Sequence, residues 1–111
     1  MSQPHISEIK RVLPEWIDYN GHLNMAYYNV LFDNAADDFY PQIGFGEDYI
    51  KTRNHTTYTA EFHICYLREL HEGDPVRIHS WLLDFDRKRF HTYQEIHHED
   101  GWIAGFDHAT I

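Results

Sequence analysis

The sequence predicts an α+β fold in which a mostly antiparallel sheet wraps one long helix, and three observations lead there. Tyr28, Leu31, Phe32, Ala35, Ala36 and Phe39 fall on one stripe of a 3.6-residue period, with Asn29, Asp33, Asn34 and Asp37 on the opposite face. Farther on, Tyr58, Ala60, Phe62, Ile64 and Tyr66 alternate with Thr59, Glu61, His63 and Cys65 in the period of a strand. Beyond the helix no strand-helix alternation recurs, which excludes a parallel sheet built from βαβ units.

Each element follows in order. A short strand is expected over 11–16. Asn24 then caps the helix, because its side-chain oxygen accepts from the orphan amides of a first turn, and Pro41 followed by Gly44 stops it. About 17 residues at roughly 1.5 Å each make a rod of about 25 Å. Such a rod needs a broad surface to lie on. Strands over 58–66, 76–84, 89–97 and 102–111 supply it, parted by the turn signals HEGDP, DFDRK and EDG. The expected order is β-α-β-β-β-β.

Composition narrows the function. At 111 residues, 42% hydrophobic and 16% aromatic, the chain is expected to be one folded domain over 1–111, near the size at which a second subunit helps bury apolar surface. The 18 acidic against 9 basic residues give a formal charge of -9, which repels a phosphate backbone and excludes nucleic acid as a partner. Cys65 stands alone, so a reducing compartment is expected and an intrachain disulfide is excluded. No apolar run of about 18 residues is present, and the opening MSQPHISEIK lacks the apolar core of a signal peptide, so a cytoplasmic location without membrane contact is expected. The residues end inside the last expected strand, which points to a natural chain that continues past Ile111.

Just ahead of the helix stands DYNGHLNMAYY, which packs Asp18, Gly21, His22 and Asn24 into seven residues. A tight turn accounts for the Gly and the cap. It accounts for neither the carboxylate nor the imidazole. No GxSxG elbow is present, and Cys65, mid-strand, lacks a basic neighbour to activate it and is expected to be a small buried hydrophobe. The ten histidines are scattered, with neither HExxH nor a zinc-type cysteine spacing, so no metal site is expected.

A strand, then Asp-x-x-Gly-His-x-Asn with an aromatic-rich helix beginning at the Asn, then four strands, resembles the hotdog-fold acyl-CoA thioesterases of the 4-hydroxybenzoyl-CoA thioesterase type. The similarity spans residues 10–111. LPEWIDYNGHLN and YTAEFHICYLREL look most like the thioesterases of carnitine and betaine catabolism that act on betainyl-CoA or dehydrocarnityl-CoA. The resemblance implies a hotdog fold, an acyl-CoA substrate with no cofactor beyond its own CoA, and a homodimer or higher homo-oligomer. It places the catalytic carboxylate on Asp18, as a base toward water or as the attacking nucleophile. His22 and Asn24 would orient the thioester or the water, Gly21 would let backbone approach the substrate, and amides near 23–25 would stabilise the carbonyl oxygen.

The acyl group is addressed by further candidates. A betaine-type acyl group carries a trimethylammonium, which aromatic faces and carboxylates hold, and Trp16, Tyr19, Tyr27 and Tyr28 cluster around Asp18 in sequence. Glu61 and His63, two apart on a strand, share a face and are candidates for the acyl pocket. Arg53, Arg68 and the run Arg87, Lys88, Arg89 are the basic groups available to the phosphates. Two rivals stand beside hydrolysis. A hotdog hydratase pairs Asp and His in Asp-x-Asn-x-x-His, whereas His22 comes four residues after Asp18 rather than five, and a non-catalytic acyl-CoA or quaternary ammonium binding module would need no catalysis at all.

Overall fold

The computed structural model describes residues 3–44, 58–86 and 88–111. The apolar stripe becomes helix α1, Met25–Phe39, and Tyr28, Leu31, Phe32, Ala35, Ala36 and Phe39 are the residues it buries. Asn24 is the N-cap, its Oδ1 accepting the Ala26 N–H at 2.9 Å. The helix is two residues shorter than its sequence signals suggest, because the chain tightens into a 3-10 turn, Tyr40–Ile43, that accommodates Pro41 in its first positions. Gly44, at φ 88°, then reverses the chain in a conformation that a side chain would oppose.

Six strands form one sheet: β1 His5–Ile6, β2 Lys10–Arg11, β3 Glu61–Tyr66, β4 Pro75–Phe85, β5 Phe90–His98 and β6 Ile103–Thr110. Its order is β1-β4-β5-β6-β3, with β2 also pairing β4, and the pairings are antiparallel. The strand expected over 11–16 shrinks to β2, and Pro14–Trp16 forms a 3-10 turn instead. Pro14 has no N–H to give a ladder, and its fixed φ suits the start of that turn. No described helix is long and apolar enough to cross a membrane.

One face of the sheet carries Val76, Ile78 and Ile96 into a core with Val12, Leu23, Tyr28, Leu31, Phe32 and Leu70. The other is polar and aromatic: His79 and His97 stack at 3.8 Å, His97 Nε2 lies 2.8 Å from Glu95 Oε1, and the Tyr93 hydroxyl donates to Glu95 Oε2 at 2.7 Å. Two bulges interrupt the ladders, between Leu82 and Asp84 and between Ile96 and His97. At the second, the Ala104 carbonyl accepts the N–H groups of both Leu67 and Arg68, at 2.9 and 3.0 Å.

Two inward positions of β6 stand out. At Gly105 a Cβ would lie 2.9 Å from the Cys65 carbonyl oxygen and 3.7 Å from Cδ2 of Tyr28. The first neighbour is backbone and cannot swing aside. Asp107, two residues on, is fully buried, and neither of its oxygens has a hydrogen-bond partner among the described residues. The Gln94 side-chain N–H groups that would suit it go to the Phe32 carbonyl and Ser80 Oγ, at 3.2 and 3.1 Å. Burial pushes the Asp107 carboxyl up to about 7, while the Gln94 main-chain N–H favours the charged form without completing a hydrogen bond.

Two predictions follow from these positions. Gly105→Ala forces β3 away from β6 at the Cys65 carbonyl, and a loss of about 1–3 kcal/mol is expected in chemical denaturation; unchanged stability would show that the gap opens freely. For Asp107 the folded pKa is the raised one, so the folded state keeps a proton that the unfolded chain loses near 3.8. The stability this protonation adds is complete below about pH 4 and is lost as the pH rises to about 7, by at most about 4 kcal/mol. Asp107→Asn does not titrate and is expected to gain stability relative to wild type as the pH climbs through that window. Parallel curves for the two proteins would contradict the burial of an ionisable, unpartnered Asp107.

Candidate active site

The stretch before α1 is folded by backbone bonds. Ile17 and Leu23 pair as an isolated antiparallel bridge, and within that bridge the Asp18 N–H donates to the His22 carbonyl at 3.1 Å and the Gly21 N–H to the Asp18 carbonyl at 3.0 Å. Gly21 takes φ 84°, the left-handed value that so short a loop needs. The loop is tied down at its end, where Leu23 N–H donates to the Leu70 carbonyl at 2.7 Å and Asn24 N–H to the Trp16 carbonyl at 3.0 Å.

Asp18 is thereby held half-buried beside the helix start. Its Oδ1 accepts the Asn20 N–H at 2.9 Å, and its Oδ2 meets Nδ2 of Asn24 in a long contact of 3.4 Å. Each oxygen keeps a lone pair free, because a carboxylate offers about four acceptor sites. The carboxylate borders a cavity of about 420 Å³ lined also by Asn20, His22, Leu23, Met25, Tyr28, Tyr66, Leu67, Arg68 and Glu69. Asn24 is thus the helix cap and a neighbour of the Asp18 carboxylate.

The amides at the helix start are fewer than the sequence suggests. Leu23 and Asn24 spend theirs on the loop, and Ala26 spends its own on the cap. Met25 N–H makes no hydrogen bond among the described residues and belongs to a residue that lines the cavity. It carries the positive end of the helix dipole there.

Other candidates divide. His22 lines the cavity and points its Nε2 to Oε2 of Glu69 at 3.5 Å. Glu69 went unnoticed in the sequence, where a carboxylate just past a strand end carries no periodic signal. Arg68, also on the cavity wall, lays its guanidinium 4.1 Å from the Trp102 ring centre. Tyr28 meets Tyr66 edge-on at 5.0 Å and donates its hydroxyl to the Arg68 carbonyl at 3.0 Å. Trp16 and Tyr27 stack on each other at 5.5 Å, and Tyr19 is 97% exposed, so of the four rings only Tyr28 lines this cavity. Glu61 and His63 are exposed on β3, and His63 faces Cys65 at 3.7 Å. Cys65 is half-buried there and not in the core.

Phe62 and Tyr66, on the opposite face of β3, line cavities instead. Phe62 borders a second space of about 380 Å³ with Asn29, Val30, Phe32, Asp33, Ala36, Tyr40, Thr59, Thr92, Gln94, Asp107 and Ala109. Met25 and Tyr28 line the first cavity and Asn29 and Phe32 the second, so the two follow one another along the groove between α1 and β3, about 6 Å apart by helical rise.

Of the basic candidates, Arg53 and Arg87 lie outside the described residues. Lys88 and Arg89 are exposed in the β4–β5 turn, where their amides donate to Asp86 Oδ1 at 2.8 and 2.7 Å. That turn adjoins Ile111, six residues along β6 from Gly105 and so about 20 Å from the Tyr28 end of the same chain. Among the described residues, no group of three or more His, Cys, Asp or Glu side chains is arranged for a metal.

Comparison with known proteins gives this geometry a family. A betainyl-CoA thioesterase of Pseudomonas aeruginosa is 41% identical over 98 residues, which are 88% of this chain and 59% of that protein. An L-carnitine dehydrogenase/betainyl-CoA thioesterase of Ruegeria pomeroyi is 33% identical over 94% of this chain and 21% of its own length. The chain thus spans 59% of the first of these curated relatives and a smaller part of the second. A Staphylococcus aureus protein solved in complex with CoA superposes with a TM-score of 0.88 at 30% identity, covering 97% of this chain and 68% of that one. Residues 12–111 match the thioesterase-like superfamily, so the hotdog arrangement of one helix on an antiparallel sheet is that family's, and the chain belongs to the thioesterase-like superfamily.

Proposed function

We propose that the chain is an acyl-CoA thioester hydrolase, with betainyl-CoA or a related trimethylammonium acyl-CoA as substrate. One observation carries the reading: Asp18 and Met25, whose N–H makes no hydrogen bond among the described residues, line the same cavity at the start of a helix. The thioester carbonyl oxygen accepts from Met25 N–H, where negative charge develops as the carbon becomes tetrahedral. Asp18 either takes a proton from the water that attacks this carbon, or attacks the carbon directly to form an acyl anhydride that water then hydrolyses; in both routes the C–S bond breaks, CoA leaves as the thiolate, and a proton from the consumed water makes it the thiol. His22, held toward Glu69, and Asn24, in contact with Asp18, orient these groups. None of these roles calls for a cofactor beyond the substrate's CoA, and CoA chemistry with a lone thiol fits the cytoplasm. The acyl choice rests on the relatives' substrate names.

The same reading includes a second copy of the chain. Among the described residues β3 ends the sheet with one side unpaired, and Tyr66, Leu67 and Met25 expose 42%, 57% and 64% of their surface. An open apolar edge of this kind invites strand pairing. Two copies joined there would close the groove over both cavities.

Asp18→Asn keeps the shape but neither takes a proton nor attacks, and turnover measured as free CoA with a thiol reagent is expected to fall at least about a hundredfold with an unchanged melting temperature. Near-normal turnover would remove the proposed role, and no CoA release by wild type from any acyl-CoA would remove the proposed function. Light scattering at micromolar concentration is expected to give at least a dimer. A fully active monomer would exclude a shared site.

A further inference from the structure

The cavity beside Asp107 has a chemistry that thioester hydrolysis alone does not explain. Its charged lining residues are Asp33 and Asp107, both acidic, and Asp107 is fully buried with neither oxygen partnered among the described residues. Leaving a buried carboxylate unpaired is costly, and a counter-charge arriving from outside is one arrangement that offsets the cost. The other walls are aromatic or apolar. Phe32, Tyr40 and Phe62 supply ring surface, which attracts a cation without asking it to donate hydrogen bonds. A primary ammonium needs several acceptors once stripped of water, whereas a quaternary ammonium needs only ring faces, methyl contacts and one opposite charge.

Position agrees with chemistry. Tyr28 sits against Gly105 and lines the Asp18 cavity, and Asp107 is two residues farther along β6, about 7 Å deeper in the same groove. An acyl group whose carbonyl lies at Asp18 and which runs along α1 would have its far end toward Asp107. The rings nearest Asp18 in sequence are otherwise engaged, Trp16 and Tyr27 on each other and Tyr19 in solvent.

We infer that the cavity between α1 and β3 is the acyl-end subsite and that Asp107 is the counter-charge of a quaternary ammonium group bound in it. This deepens the proposed acyl-CoA hydrolysis and rests on it. Asp107 is thereby a specificity residue that does not touch the reacting bond. A cation entering the cavity restores the charged form of Asp107, and a neutral acyl group of equal shape leaves the carboxyl protonated or unpaired.

The test compares betainyl-CoA with its neutral isostere 3,3-dimethylbutyryl-CoA on wild type, Asp107→Asn and Asp107→Leu, the last keeping an apolar filling should the amide fold poorly. Wild type is expected to favour the cationic thioester in kcat/KM by at least about tenfold, and both variants to reduce that ratio by at least about tenfold, losing more on the cationic thioester than on the neutral one. Equal losses on both thioesters, or a preference that survives both substitutions, would overturn the inference while leaving hydrolysis in place. Should wild type release CoA from neither, the proposed function fails and tetramethylammonium binding by calorimetry decides the subsite separately. Binding that is lost in both variants upholds it, and absent or Asp107-independent binding overturns it.

Discussion

The site depends on one local constraint, the pairing of Ile17 with Leu23 across the loop that carries Asp18. That bridge turns a polar stretch into a loop of fixed shape, and the 2.7 Å bond from Leu23 N–H to the Leu70 carbonyl fastens it to the segment after β3. Leu23 is 2% exposed, so the loop's far end is also held by the core. Without the bridge Asp18 would be a mobile surface carboxylate. With it, the carboxylate stands at the mouth of a cavity whose floor is the start of α1.

The rest of the fold serves that junction. The bulge at Ala104 ties residues 67 and 68 to β6 by giving both amides one acceptor, and Tyr66 and Tyr28 then clasp the helix start through the Met25 and Arg68 carbonyls at 3.3 and 3.0 Å. Gly105 lets these strands approach closely enough for Tyr28 to seat. Consumption of the Leu23, Asn24 and Ala26 amides has a chemical result, since among the described residues it leaves Met25 N–H as the unspent amide at the helix start. The acidity of the chain, awkward for a CoA phosphate, is placed partly where a cationic acyl group would meet it, at Asp33 and Asp107.

Much of this was legible in the sequence because it rests on periodicity and capping. The stripe from which the helix was read is the set of residues α1 buries, and Asn24 caps it. Four of the strands lie close to their expected places. What periodicity cannot express was missed or misplaced. β1 and β2 are two residues each, too short to show an alternation, and Pro14 turned an expected strand into a 3-10 turn. The aromatic cluster around Asp18 was a cluster along the chain, and in space Trp16 pairs with Tyr27. Glu61 and His63 share a strand face as expected, but it is the face of Phe62 and Tyr66 that lines the cavities. Asp107 did leave a signal, since it shares the inward parity of Gly105 and Ala109, yet a carboxylate among such positions reads as a solvent residue until its burial is seen.

On the proposed function, a thioester carbonyl lies between Asp18 and Met25 N–H while its acyl end points toward Asp107. A crystal structure of the wild-type chain with the ketone analogue of betainyl-CoA, in which a methylene replaces the thioester sulfur, tests it most directly. The account predicts the ketone oxygen within hydrogen-bond distance of Met25 N–H, about 3 Å. The ketone carbon should stand about 3–3.5 Å from an Asp18 oxygen or from a water held by it. The quaternary nitrogen should lie in the cavity beside Asp107. A ketone bound away from Asp18, with its oxygen met by other donors, would contradict the claim.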